Sequence, residues 1–148
     1  DQAIEPLLFD LEVNVSTLAK LIDNVEEFNS PSVVKVVFDY KNFALYFSRS
    51  PIPFVRDAKD DKEMLEKADI YKHIGLYVYR KEYLLKFTKL EPTDLEQWEK
   101  LEQLRMLENG FKIKIVDTEY DSFSVDTPED LEKARKIYSK LKKIELAK

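Results

Sequence analysis

Arg49 stands between Ser48 and Ser50 and is followed by Pro51-Ile52-Pro53. The two prolines stiffen the chain and favour an extended path. A guanidinium held there presents a planar fork of donors suited to a carboxylate or a phosphate; a surface loop arginine is the other reading. In the run HIGLYVYR, residues 73 to 80, strand geometry puts alternate side chains on one face. His73, Gly75, Tyr77 and Tyr79 then form a polar face, and Ile74, Leu76 and Val78 an apolar one. Gly75 leaves a recess where a ligand could approach the backbone, although a packed aromatic beside a satisfied histidine explains the same pattern. Glu102 and Gln103 lie in LEQWEKLEQLRMLENG, a helical pattern whose Leu95, Trp98, Leu101, Leu104, Met106 and Leu107 wrap most of the circumference. Some of its polar residues must therefore be partly buried and need partners. Hydroxyl recognition is one use for them, and an i, i+3 pair of Glu102 with Arg105 is another. Asp126, just ahead of a helix cap, reads either as a charge complementing the helix dipole or as a Mg²⁺ ligand acting with a second acid and phosphates.

Other chemistries are excluded by composition. The 148 residues contain no cysteine, which removes a disulfide framework, a thiolate metal site and a Cys nucleophile, and no nucleophile-elbow motif occurs. The two glycines, Gly75 and Gly110, cannot build a Gly-rich phosphate loop. A net charge of -5 and a pI near 5.1 argue against nucleic acid as a partner, because polyanion binders carry an excess of Lys and Arg. No apolar run approaches the roughly 20 residues of a membrane span and the start carries no signal-peptide pattern, so a soluble, cytoplasmic chain is expected. With 44% hydrophobic residues, one packed domain spanning residues 1 to 148 is the expectation.

The elements that must position these residues follow from periodicity. Ala3, Ile4, Leu7, Leu8 and Leu11 fall at helical spacing, and VNVSTLAKLI at 13 to 22 reads as a buried, parallel-type strand. VVKVVFD and FALYFSRS, within 33 to 50, predict a hairpin turning at Tyr40, Lys41 and Asn42. The charged run 57 to 69 reads as a solvated linker or a short exposed helix. A strand at 72 to 80, a helix from Lys81 to about Thr88, a single helix from about Thr93 to Glu108 stopped by Asn109-Gly110, and a strand at 111 to 118 follow. The last helix is capped by Thr127 with Pro128 and Asp130. Strands alternating with helices predict an α/β fold with a hairpin insertion.

Four words, YFSRSPIP at 46 to 53, HIGLYVYR at 73 to 80, LEQLR at 101 to 105 and VDTPEDLE at 125 to 132, resemble in order and spacing the bacterial CMP-KDO synthetases, the 3-deoxy-manno-octulosonate cytidylyltransferases. The resemblance runs from about VNVSTLA through the last helix. It implies a nucleotide-diphospho-sugar transferase-like (Rossmann-like) fold with a mixed sheet, CTP and the eight-carbon acid sugar KDO as substrates, Mg²⁺ as cofactor, and CMP-KDO and pyrophosphate as products for lipopolysaccharide synthesis. Carried over by position, Arg49 would pair with the sugar carboxylate, His73, Tyr77, Glu102 and Gln103 would meet its hydroxyls, and Asp126 would bind Mg²⁺. No residue is implied as a covalent catalyst. The family's Arg-rich nucleotide loop and its Gly-Asp-Glu-Pro metal motif have no counterpart here, so the chain is expected to hold the sugar side of the site without the CTP side and to be inactive alone. The family also implies a homodimer, for which the hairpin at 33 to 50 and the extended SPIP segment after it are the expected contact region. The alternative expectation is a non-catalytic acid-sugar-binding or dimerisation module.

Overall fold

The computed structural model describes residues 1–120 and, beyond them, residues 128, 131, 132, 134–136, 138 and 139. The chain opens with α1 (Glu5–Phe9), where Pro6 suits the first turn, and passes to β1 (Val15–Leu21). β1 is an interior strand of the sheet, and its residues are nearly all apolar or small and can be covered on both faces. It runs antiparallel to β4 (Tyr71–Tyr79) and parallel to β5 (Lys114–Asp117). The parallel character expected of this strand therefore exists on one side only.

Between β1 and β4 lie α2 (Val25–Asn29), β2 (Lys35–Phe38), β3 (Ala44–Ser48) and α3 (Asp61–Lys67). The hairpin β2–β3 forms as expected, with Asn42 at φ 59 in its turn. It is not an appendage: Lys35 and Val36 also pair with Lys72 and Tyr71 of β4, giving one five-stranded sheet of order β3-β2-β4-β1-β5. α3 takes up part of the charged run 57 to 69, capped by the Asp60 side chain on the Glu63 N–H.

After β4 come α4 (Lys81–Phe87), α5 (Asp94–Glu99) and α6 (Gln103–Glu108). The single helix expected over 93 to 108 is two helices, broken at Lys100, which adopts a left-handed conformation with φ 55. The break explains the all-round apolar pattern. Each short helix turns its own face inward, so Leu101, Leu104 and Met106 are buried while Trp98 is 74% exposed. Arg105 ties the two helices together through Glu96, its Nε 2.7 Å from Oε2, and donates to the Leu90 carbonyl at 3.1 Å. The expected Glu102–Arg105 pair is thereby replaced, and the guanidinium holds the Glu96 carboxyl below its ordinary pKa.

The main core gathers Val15, Ala19, Val36, Phe47, Leu104, Met106, Ile113 and Ile115, and a smaller one packs Ile22, Phe28 and Ile70 under α2 and α3. Lys35 is fully buried, yet its ammonium donates to the carbonyls of Ser30, Val33 and Arg49 at 2.9, 2.5 and 2.7 Å. Burial pushes its pKa down, opposed by nearby Glu99. Arg80, at the end of β4, donates to the carbonyls of Leu7, Asp10 and Val13 and so fastens α1 to the sheet.

Candidate functional site

Tyr77 and Tyr79 on β4, Phe87 on α4, and Lys100, Leu101, Glu102, Gln103 and Met106 around the start of α6 line one cleft of about 200 Å³. Three of the residues expected at a ligand site, Tyr77, Glu102 and Gln103, therefore meet. Gln103 is buried and Glu102 exposed at the rim. The Tyr77 hydroxyl is buried without a hydrogen-bond partner. Burial, assisted by Tyr79 and the Glu102 charge, pushes the Tyr77 pKa up, and that of Tyr79 up to about 12 by burial and Glu102. Both phenols stay protonated and so have an O–H to donate.

His73 extends this face. Its ring lies 5.3 Å from that of Tyr77 and 4.9 Å, edge-on, from that of Phe47, centroid to centroid. The aromatic row continues through Tyr79, stacked on Tyr77 at 5.7 Å, to Phe87 at 6.3 Å. Burial lowers the His73 pKa to about 4, so the imidazole is neutral at pH 7. The expected common face of His73 and Tyr77 is present, but the opposite face departs from strict alternation. Thr17 of β1 pairs with Tyr77 and Leu18 with Ile74, so Gly75 and Leu76 are extra residues in the ladder. Ile74 is buried while Leu76 is 49% exposed. The recess expected at Gly75 exists: nothing lies within 4 Å of where a Cβ would sit. Gly75 and His73 border a second cavity of about 270 Å³ with Glu27, Lys72 and Val34.

Arg49 does not line the Tyr77 cleft. Its Nε donates to the Glu99 carbonyl at 2.7 Å, one terminal nitrogen to the Pro31 carbonyl at 2.8 Å and the other to the Lys100 carbonyl at 3.3 Å. Its backbone N–H and the Ser48 hydroxyl donate to the two Glu99 carboxylate oxygens at 2.9 and 2.6 Å. Ser48 is thus turned inward rather than offered to a ligand. Arg49 braces the left-handed turn at Lys100, which sets the entry to α6 and the positions of Glu102 and Gln103. Each terminal nitrogen of a guanidinium carries two N–H groups, so one on each is left over beyond these bonds.

Asp126 lies outside the described residues, as does the Thr127 cap. Among the described residues no group of three or more His, Asp or Glu could hold a metal ion. No described helix is long and apolar enough to cross a membrane. Thr17, whose hydroxyl contacts His73, was not among the residues expected near the site; the signal was a pair of hydroxyls, Ser16-Thr17, both fully buried in a strand whose other residues apart from Lys20 are apolar.

Comparison with known proteins accords with this geometry. A protein described as 3-deoxy-manno-octulosonate cytidylyltransferase from Geotalea uraniireducens (strain Rf4) is 52% identical over 147 residues, which cover 97% of this chain and 57% of the relative. One of the same description from Thermodesulfovibrio yellowstonii is 52% identical over 136 residues, 92% of this chain and 52% of the relative. A solved structure of CMP:2-keto-3-deoxy-manno-octonic acid synthetase complexed with CTP superposes with a TM-score of 0.83 at 38% identity, covering 93% of this chain and 54% of that one. The chain spans about half the length of the relatives it matches. Its sheet is accordingly the mixed sheet of that synthetase fold. The family model described as cytidylyltransferase matches residues 1–115, and the chain belongs to the cytidylyltransferase family.

Proposed function

We propose that these residues form the acid-sugar side of a CTP-dependent cytidylyltransferase that activates KDO. The observation that carries this reading is the Tyr77 hydroxyl, buried and without a partner in the cleft that also holds Glu102 and Gln103. A buried polar group left unpaired costs about 1–3 kcal/mol, and a sugar hydroxyl arriving at this cleft recovers that cost. The names of the relatives supply the substrate: they are described as acting on 3-deoxy-manno-octulosonate, and the solved neighbour carries CTP.

In this reading Tyr77, Glu102, Gln103 and His73 meet the sugar hydroxyls. Arg49 offers its remaining N–H groups to the carboxylate while its other donors keep the Lys100 turn in place. The sugar's anomeric oxygen attacks the α-phosphorus of CTP, its bond to phosphorus forms as the bond to pyrophosphate breaks, and its proton leaves to solvent. The protein's part is to orient the sugar oxygen for in-line attack. Mg²⁺ is the proposed cofactor, supplying charge neutralisation at the phosphates, with Asp126 as one ligand. The protein would work in the cytoplasm as a homodimer. The exposed Tyr40, Leu45 and Phe54 on and beside the hairpin offer apolar surface for a second copy.

A calorimetric titration of the chain with KDO tests the reading directly, with heat expected for the wild type and strongly reduced heat for Arg49→Ala. A chain matching the full length of the relatives is expected to release pyrophosphate from CTP only when KDO and Mg²⁺ are present. An inactive full-length chain contradicts the enzymatic reading. Sugar binding without turnover in that chain favours a binding module.

A further inference from the structure

Thr17 sits at the break in the β1–β4 ladder, opposite Tyr77 and one residue before the register jumps to Ile74. Its side chain reaches the backbone of the two-residue bulge that the break creates. The hydroxyl oxygen is 2.8 Å from the Leu76 carbonyl, 3.1 Å from the Ile74 carbonyl and 2.9 Å from Nε2 of His73. A hydroxyl has one proton to give and two lone pairs, whereas a carbonyl oxygen only accepts. If the proton pointed at His73, two carbonyl oxygens would face the Thr17 lone pairs at hydrogen-bond distance with no hydrogen between them. The proton therefore belongs to the carbonyl pair, and the contact with Nε2 is satisfied only if Nε2 carries the hydrogen. A neutral imidazole has one ring proton, so Nδ1 is left bare.

We infer that Thr17 is a positioning residue: it holds the strand break with the proton it donates and, with the lone pair it offers, fixes His73 as the Nε2–H tautomer whose Nδ1 accepts a hydrogen bond from a ligand. Phe47 and Tyr77 flank the ring and limit its rotation. The depressed pKa keeps it neutral, as an acceptor must be. One consequence rests on the reading of the cleft as a sugar site. A bare Nδ1 takes a hydroxyl donor and turns away an ionised carboxylate, which only accepts; His73 thus orients an acid sugar with a hydroxyl toward itself and the carboxylate toward another group.

The chain contains a single histidine, so its imidazole nitrogens are read without assignment in a long-range ¹H–¹⁵N NMR spectrum at pH 7. The wild type is expected to show a protonated Nε2 and a pyridine-type Nδ1. Thr17→Ser, which keeps the hydroxyl, is expected to retain this pattern, and Thr17→Val to draw the two nitrogen shifts together as both tautomers become populated. A protonated Nδ1 in the wild type, or an unchanged pattern in Thr17→Val, overturns the inference. If Thr17→Val does not fold, the wild-type tautomer and the Thr17→Ser spectrum still decide it. Adding KDO separates the two claims: an upfield shift of Nδ1 supports both. An unmoved Nδ1 in a correctly assigned Nε2–H tautomer removes the sugar contact and leaves the role of Thr17 standing.

Discussion

The cations of the hairpin region and the polar groups of the β4–α6 cleft treat their hydrogen bonds in opposite ways. Lys35 gives its ammonium to three carbonyls, and Arg49 grips three more from Pro31, Glu99 and Lys100. In the cleft, Tyr77 buries a hydroxyl that has no partner at all. Folding alone favours the first arrangement, because every buried donor and acceptor then has a match. The second raises the free energy of the fold and makes sense where a partner arrives later. The proposed sugar site therefore rests on unmet hydrogen-bonding capacity rather than on burial or charge.

The largest effect should come from the satisfied side. Lys35→Met keeps the length of the side chain but strands three carbonyls, and is expected to lower unfolding stability by about 3 kcal/mol or more in urea melts. A loss under about 1 kcal/mol would mean that the carbonyls find other partners and that Lys35 is not a clamp. Next is pH. The folded pKa of His73, about 4, lies below its ordinary value of 6.5, so the unfolded chain takes up a proton that the folded chain refuses. Its contribution is complete above about pH 6.5 and is lost as pH falls toward 4, by up to about 3 kcal/mol. Parallel melts of wild type and His73→Gln isolate it, since only the wild type should carry this slope in addition to that of its carboxylates. Arg49→Lys should come third. A lysine cannot fork between Glu99, Pro31 and Lys100, so a loss of about 1–2 kcal/mol is expected, together with weaker sugar binding as the Lys100 turn relaxes. Unchanged stability with lost binding would instead make Arg49 a pure ligand contact.

The sequence carried much of this frame. The alternation in HIGLYVYR placed His73 and Tyr77 on one face, and VVKVVFD and FALYFSRS gave the hairpin at the expected turn. What it concealed was local and had physical causes. The helix α2 is short, but its signal was present in Asn24 followed by Glu27, whose backbone N–H bonds to the Asn24 side chain at 2.8 Å. The division between α5 and α6 depends on a left-handed Lys100, a conformation no propensity favours in lysine, and it is held by Arg49, just past the end of β3 and far away in sequence. The ladder break at Gly75 and Leu76 is likewise a tertiary event, made by Thr17 across the sheet. Residues that act through such long-range contacts leave little periodic trace, which is why Thr17 and Glu99 escaped notice while Tyr77 and Gln103 did not.

The smallest expected change in stability gives the most direct test. Tyr77→Phe removes only the unpartnered hydroxyl, so the fold should not lose stability and should gain about 1 kcal/mol, the low end of what a buried unpaired group costs. Calorimetry with KDO should nevertheless show affinity reduced about tenfold, equivalent to about 1.4 kcal/mol. Equal affinity in the two proteins, or heat in neither, would contradict the claim that this hydroxyl is held in reserve for an acid sugar.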